Sequence, residues 1–235
     1  RALSSAAPYQ HSIDKINYET EVYLGNCCVS GMYTTSNILD LEKEVEKYVL
    51  INKADGLKTL NLRGRDPRHN ESPVTATVQQ IQYGSGCKHM QNTHAHAGDC
   101  KSAYIWLILQ GIVVPFNLSA NFTIPEKEPL EGAFTFNFNN DTVAYWNPDN
   151  VSYEEKDYDK QVKQTCTFYI TVMISGYFTY SAERSRGDNP LEDSVGIGNV
   201  ANTCPSLTYI NGTMASYNVS GRYQHLILCP PPRST

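Results

Sequence analysis

The stretch Cys166–Ser181, "CTFYITVMISGYFTYS", decides how the chain is read. Cys166, Phe168, Ile170, Val172 and Ile174 fall on alternate positions, with Thr167, Tyr169 and Thr171 between them. That period of two puts one set on each face of an extended strand. The β-branched and aromatic side chains suit a pleated, half-buried surface. Gly176 interrupts the pattern and is predicted to mark a bulge within one long strand.

Working outward, residues 182–202 ("AERSRGDNPLEDSVGIGNVAN") are predicted to form a long loop. "LTYINGTMASY" (207–217) follows as a hairpin, because Asn211-Gly212 suits a two-residue turn. "YQHLIL" (223–228) is a closing strand, and the prolines after Cys229 stiffen the tail. Upstream, "AFTFNFNNDTVAYW" (133–146) reads as a second hairpin. Its Phe134, Phe136 and Phe138 share a face, with a turn at Asn139–Asp141. The longest apolar run, "AYIWLILQGIVVPF" (103–116), is broken by Gln110-Gly111. It is too short to cross a bilayer as a helix and reads as buried strand. "VTATVQQIQY" (74–83), "LKTLNL" (57–62), residues 29–35 and the alternation Ile16, Tyr18, Thr20, Val22, Leu24 add further strands.

One helix is expected, near residues 37–54. Ile38, Leu41, Val45, Tyr48 and Val49 recur at three- and four-residue spacing, with Ser36 or Asn37 as cap and Gly56 as stop. The fold class is therefore mainly β: a single antiparallel β-sandwich or β-barrel of about nine to eleven strands with that one helix. Residues 1–12 are expected as a mobile lead-in, 13–229 as the single β domain and 230–235 as a C-terminal tail. A chain of 235 residues buries a sizeable core without needing disulfides.

The net charge of −5 comes with no basic run, which argues against a nucleic-acid partner. Seven cysteines, Cys27, Cys28, Cys87, Cys100, Cys166, Cys204 and Cys229, are dispersed and form no CxxC pair. Dispersed cysteines in a β-rich chain point to disulfides and an oxidising compartment. Sequons at Asn70, Asn117, Asn121, Asn140, Asn150, Asn211 and Asn218 agree with that compartment. A secreted, extracellular location is expected. The odd cysteine leaves one thiol for a covalent dimer, and the connectivity stays open.

Chemistry is sparse. "CKHMQNTHAHAGDC" (87–100) holds His89, His94 and His96. In an extended segment His94 and His96 lie on one side about 7 Å apart, within reach of one metal ion. The same text reads as a solvated loop closed by a local Cys87–Cys100 bridge, and that is the expectation. "THAHAGD" is faintly similar to a copper–zinc superoxide dismutase segment, but only His225 follows downstream. No nucleophile elbow, zinc-protease or phosphate-loop pattern occurs, so no enzyme and no cofactor are expected. The Gly-x-Gly of "SVGIGNVAN" (194–202) precedes no helix. An acidic, aromatic segment at 144–158 offers Tyr145, Trp146, Tyr153, Glu154, Glu155 and Tyr158 as a contact surface for a protein ligand, possibly a basic one.

In size, acidity and scattered cysteines the chain is similar to the poxvirus chemokine-binding β-sandwiches and the tick salivary lipocalins. That resemblance of class implies a host-modulating, immune-evasion type protein. It would sequester a protein mediator such as a cytokine or chemokine through a sheet face or long loops. A lipocalin-like carrier of a small amphipathic or lipidic ligand is the alternative, and a metal-binding protein built on the histidine loop is a third.

Overall fold

The computed structural model describes residues 37–53, 56–64, 71–87, 100–125, 134–139, 143–146, 159–182 and 191–230. In chain order these form β1 (Asn37–Asp40), α1 (Leu41–Asn52), β2 (Leu57–Asn61), β3 (Thr75–Val78), β4 (Gln82–Tyr83), β5 (Lys101–Val113) and β6 (Ser119–Phe122). Then come β7 (Phe134–Asn137), β8 (Val143–Trp146), β9 (Asp159–Ser175), β10 (Tyr177–Ala182), β11 (Leu191–Gly196), β12 (Thr208–Asn211) and β13 (Met214–Cys229). Short 3₁₀ turns span Ser85–Cys87 and Ile197–Asn202. The chain is mainly β, with more strands than the sequence pattern separates.

The long strands β5, β13 and β9 lie side by side at the centre of an eight-stranded sheet. β13 pairs antiparallel with β9 from Met214↔Ser175 to Cys229↔Asp159, and with β5 on its other edge. β1 joins β5 in parallel, and an isolated Pro73–Tyr177 bridge is parallel too, both departures from the expected antiparallel pairing. The alternation in β9 is realised: Cys166, Phe168, Ile170, Val172 and Ile174 are buried and face the core. From β13 the inward row is Ala215, Tyr217, Val219 and Tyr223, and from β5 it includes Trp106 and Ile108.

Two smaller sheets, β11-β10-β2 and β6-β7, complete the described architecture. The β6–β7 pair covers the inward face of the large sheet. Phe122 packs 5.6 Å from Phe168 and 6.0 Å from Trp106, and stacks at 4.9 Å on Phe136. Each such ring, fully buried, contributes roughly 1.5–3 kcal/mol relative to exposure. Trp106 Nε1 donates to the Tyr83 hydroxyl at 2.9 Å, and that hydroxyl donates to the Thr123 carbonyl, so the buried Trp106 and Tyr83 polar atoms are paired. Burial pushes the Tyr83 phenol well above its ordinary range.

Gly176 does not bulge a continuing strand. It ends β9 and turns the chain into β10 of the small sheet, at φ +116°. A Cβ there would sit 2.3 Å from the Pro73 carbonyl oxygen, so both the conformation and the space require glycine. Beyond this corner, Phe178, Tyr180 and Ala182 are buried, and Phe178 meets Tyr48 of α1 edge-on at 6.2 Å.

The helix is shorter than predicted. Asn37–Asp40 is strand, and Asp40, not Ser36 or Asn37, caps α1 by accepting from the Lys43 amide at 3.3 Å. Leu41, Val45, Tyr48 and Val49 are buried as expected, whereas Ile38, on β1, is 47% exposed. The physical reason is that β5 offers Asn37–Asp40 a free strand edge, and backbone pairing there competes with one more helical turn.

The expected 133–146 hairpin does not form. β7 pairs with β6, and β8 pairs with β5. Asn139, expected in the turn, instead grips the β5–β6 connection: its Oδ1 accepts from the Val114 amide at 3.1 Å and its Nδ2 donates to the Phe116 carbonyl at 2.6 Å. The expected 182–202 loop contains β11 and a 3₁₀ turn, because β10 gives Leu191–Gly196 a partner. The 207–217 hairpin forms, with its turn shifted one residue: Asn211 pairs with Met214 around Gly212-Thr213. Its second strand runs on through "YQHLIL" as the single strand β13.

The expected local Cys87–Cys100 bridge is replaced by Cys87–Cys166 and Cys100–Cys229, at Cα separations of 5.5 and 4.2 Å. Cys87 closes a 3₁₀ turn against the inward row of β9, where Cys166 lies. Cys100 enters β5 beside the last residue of β13. The pairing register therefore brings each cysteine to a different strand. The loops closed span 79 and 129 residues of chain. In the chain-entropy account each bridge stabilises the fold by about 4–5 kcal/mol. Cys204 is buried and unbridged, and burial first, then the nearby Glu44 carboxylate, pushes its thiol up. A thiol so placed resists becoming the reactive thiolate.

Candidate functional site: the outward face of the central sheet

The strand period that buries one row of β9 and β13 turns the other row outward. On β9 that row is Lys163, Thr165, Thr167, Tyr169, Thr171 and Met173; on β13 it is Ser216, Asn218, Ser220, Arg222 and Gln224. Register sets Asn218 opposite Thr171, Ser220 opposite Tyr169, and Arg222 opposite Thr167. The row is knitted across strands. Thr171 Oγ1 donates to Asn218 Oδ1 at 3.0 Å, Ser220 Oγ donates to Gln110 Oε1 at 2.9 Å, and the Tyr169 hydroxyl donates to Gln82 Oε1. Thr75 and Thr77 of β3 extend the same hydroxyl surface beyond β9.

The face is predominantly polar. It is mostly neutral hydroxyls and amides, with Tyr169 43% exposed at its middle, Met173 toward one end and two cations, Lys163 and Arg222. Hydroxyls and amides both donate and accept, and tyrosine offers a large rigid contact at low entropy cost. Such a face has no acid–base pair or nucleophile–base pair to do covalent chemistry. It is suited to hydrogen-bonded contact over an area.

Toward the Cys100–Cys229 end the outward face turns apolar, where Ala103, Ile105, Leu226 and Leu228 form a small second cluster against Val143. On the inward side of the same end, His225 is buried. It stacks on Tyr104 at 4.4 Å, and its Nε2 lies 3.0 Å from Ser102 Oγ. Gln164, opposite it, donates from Nε2 to the Gly86 carbonyl at 3.2 Å.

Of the residues singled out from sequence, Tyr145 lies on β8 opposite Ile105. Trp146 is half-buried and packs on Tyr104, with ring centres 5.2 Å apart. Tyr153, Glu154, Glu155 and Tyr158 lie outside the described residues, as do His89, His94, His96, Cys27, Cys28, Asn70, Asn140 and Asn150. Asn117, Asn121, Asn211 and Asn218 are all exposed. No group of three or more His, Cys, Asp or Glu able to hold a metal occurs among the described residues. Nor is any described helix long and apolar enough to cross a membrane. The outward row was visible in the sequence as the polar half of the β9 alternation. What sequence reasoning missed is that β13 carries a matching row in register with it.

No protein-family model matches the chain, and no curated protein matches it. Among solved structures it is similar to the Cry23Aa1–Cry37Aa1 binary protein complex, at 12% identity over 81% of this chain and 85% of that one, with a TM-score of 0.45. A non-toxic crystal protein from Bacillus thuringiensis gives 12% identity, 82% and 94% coverage and a TM-score of 0.44. The Mpp75Aa1.1 β-pore-forming protein from Brevibacillus laterosporus gives 14%, 72% and 65%, and 0.26.

Proposed function

We propose that the chain is an extracellular binding protein that docks a protein ligand on the outward face of β9 and β13. The observation that carries this reading is the in-register row of hydroxyl and amide side chains around Tyr169. Its composition is that of a recognition surface: poor in charge, rich in paired donors and acceptors, and centred on an exposed aromatic. Lys163 in the row complements acidic groups on a ligand patch that is otherwise polar and neutral. A secreted protein mediator such as a cytokine or chemokine is the ligand class to test first. A lipid carrier is less well supported, because Trp106, Phe122, Phe136, Phe168 and Tyr223 fill the inward space between the layers.

The test is a binding screen of the immobilised full chain against purified cytokines and chemokines, read by interferometry. For a ligand so found, Tyr169→Ala combined with Thr167→Lys should weaken binding at least tenfold, as expected for losing a central anchor. Ile51→Ala, on the far side of α1, should leave it unchanged. Loss of binding through Ile51 but not through Tyr169 would sink the assignment of this face, and so would a screen in which nothing binds.

A further inference from the structure

Four sequons lie within the described residues, and their side chains behave in two ways. At Asn117 the side-chain oxygen accepts from Asn137 Nδ2 at 3.3 Å, and at Asn121 from Thr135 Oγ1 at 3.2 Å. At Asn218 the two ends of the sequon are held by different strands: Asn218 Oδ1 by Thr171 of β9, Ser220 Oγ by Gln110 of β5. In these three the asparagine is engaged by a distant part of the chain. Asn211 differs. Its Oδ1 accepts from both the amide and the hydroxyl of Thr213, its own sequon threonine, at 2.9 and 3.1 Å. This is an Asx turn, a structure the chain forms locally.

The turn is also braced from behind. Asn199 Nδ2 donates to the Gly212 carbonyl at 3.0 Å and to the Gly196 carbonyl at 3.1 Å. A Cβ on Gly198 would lie 1.8 Å from the Asn211 carbonyl oxygen, so the 3₁₀ turn at Ile197–Asn202 sits flush against the hairpin only because residue 198 is glycine. The Gly-x-Gly that looked like a failed phosphate loop is a seat for this turn. Because backbone N–H of Thr213 must donate, the oxygen of the Asn211 amide faces into the turn. The amide nitrogen therefore faces away from it, on an exposed residue.

We propose that Asn211 is an N-glycan acceptor, and the preferred one of the four described sequons. In the transfer, the Asn211 amide nitrogen bonds to the anomeric carbon of a polyprenyl-pyrophosphate-linked oligosaccharide and gives up a proton to a base of the transferase. The bond from that carbon to the pyrophosphate oxygen breaks, and polyprenyl pyrophosphate leaves with the electron pair. The Asn-x-Ser/Thr acceptor is a surface-loop feature, and an exposed turn whose asparagine side chain is held only locally is that setting. Asn-Gly-Thr reaches it with local hydrogen bonds alone. Asn218-Val219-Ser220 has to leave two strand ladders to do so.

The inference rests on the extracellular routing of the preceding reading, and the experiment supplies that routing directly. The full chain, fused to a secretion signal, is expressed in eukaryotic cells. Its glycans are released enzymatically in heavy-oxygen water, and each sequon peptide is read by mass spectrometry. The label is expected at Asn211 in most molecules and at Asn218 in a clear minority. Thr213→Ala should abolish the Asn211 label, and Thr213→Ser, which keeps the hydroxyl and the fold, should retain it. An unlabelled Asn211 in secreted wild-type protein overturns the proposal, as does a label at Asn218 equal to or above that at Asn211. Ligand docking is measured on deglycosylated protein, so that loss of the glycan inference and loss of the docking reading give separate results.

Discussion

Two stretches of this chain look alike in sequence and end differently. Residues 207–217 and 133–146 both place alternating apolar residues around an asparagine-containing turn signal. The first closes on itself, with Asn211 spending its side chain on Thr213 two residues away. The second comes apart, with Asn139 spending its side chain on Val114 and Phe116, 25 and 23 residues away. A turn residue makes a hairpin only while its side chain has no better long-range use. At 133–146 the long-range offer is stronger, because Phe136 gains the stacked Phe122 and β8 gains the open edge of β5.

If that contrast is right, the region held by distant partners should be the more fragile. The largest effect is expected from the long-range staples. Replacing Cys87 and Cys166 together by alanine should cost about 4–5 kcal/mol, or roughly 8–20 °C in melting temperature for a chain of this size. Scanning calorimetry of the double variant checks it, and a shift of only a degree or two would show that the bridge constrains little. Next comes Phe136→Ala, which empties a fully buried ring position at about 3–5 kcal/mol. Hydrogen exchange should then show protection lost in β6 and β7 while the β12–β13 turn stays protected. Equal loss in both places would erase the distinction between them.

The local hairpin has its own weak point. Gly198→Ala drives a Cβ into the Asn211 carbonyl and should cost about 1–3 kcal/mol, with lost protection confined to Ile197–Asn202 and the β12–β13 turn. Urea titration and exchange of this variant show whether the hairpin stands without its seat. The smallest effect is one of pH. Burial, together with the carboxylate of Asp193 opposite it, pushes the Tyr180 phenol up to about 12. Between about pH 10 and 12 the unfolded chain gives up a proton that the folded chain keeps, so stability contributed by this group falls as pH rises through that window. Tyr180→Phe should flatten that fall in denaturation midpoints measured on either side of it, and an unchanged slope would place the effect elsewhere.

The outward face was half legible. The Thr167, Tyr169, Thr171 row can be read directly from the alternation of β9, because side-chain period depends only on local backbone geometry. That Asn218 and Ser220 stand beside it could not be read, because register between β9 and β13 is set by which inward rows interlock. For the same reason the cysteines misled. Cys87 and Cys100 are near in sequence, yet each lies closer in space to a strand that arrives 79 or 129 residues later.

By itself the sequence determined the mainly β character, the buried row of β9, the helical face of Leu41, Val45, Tyr48 and Val49, and the 207–217 hairpin, though not which two residues turn it. All of these follow from periodicity or from hydrogen bonds spanning a few residues. Only the tertiary structure decided that Asn37–Asp40 is strand, that Gly176 is a corner between sheets, which cysteines bridge, and that β7 and β8 part company. Each of those outcomes is a competition between a local preference and a partner far along the chain. The winner depends on which surfaces the rest of the fold has left open.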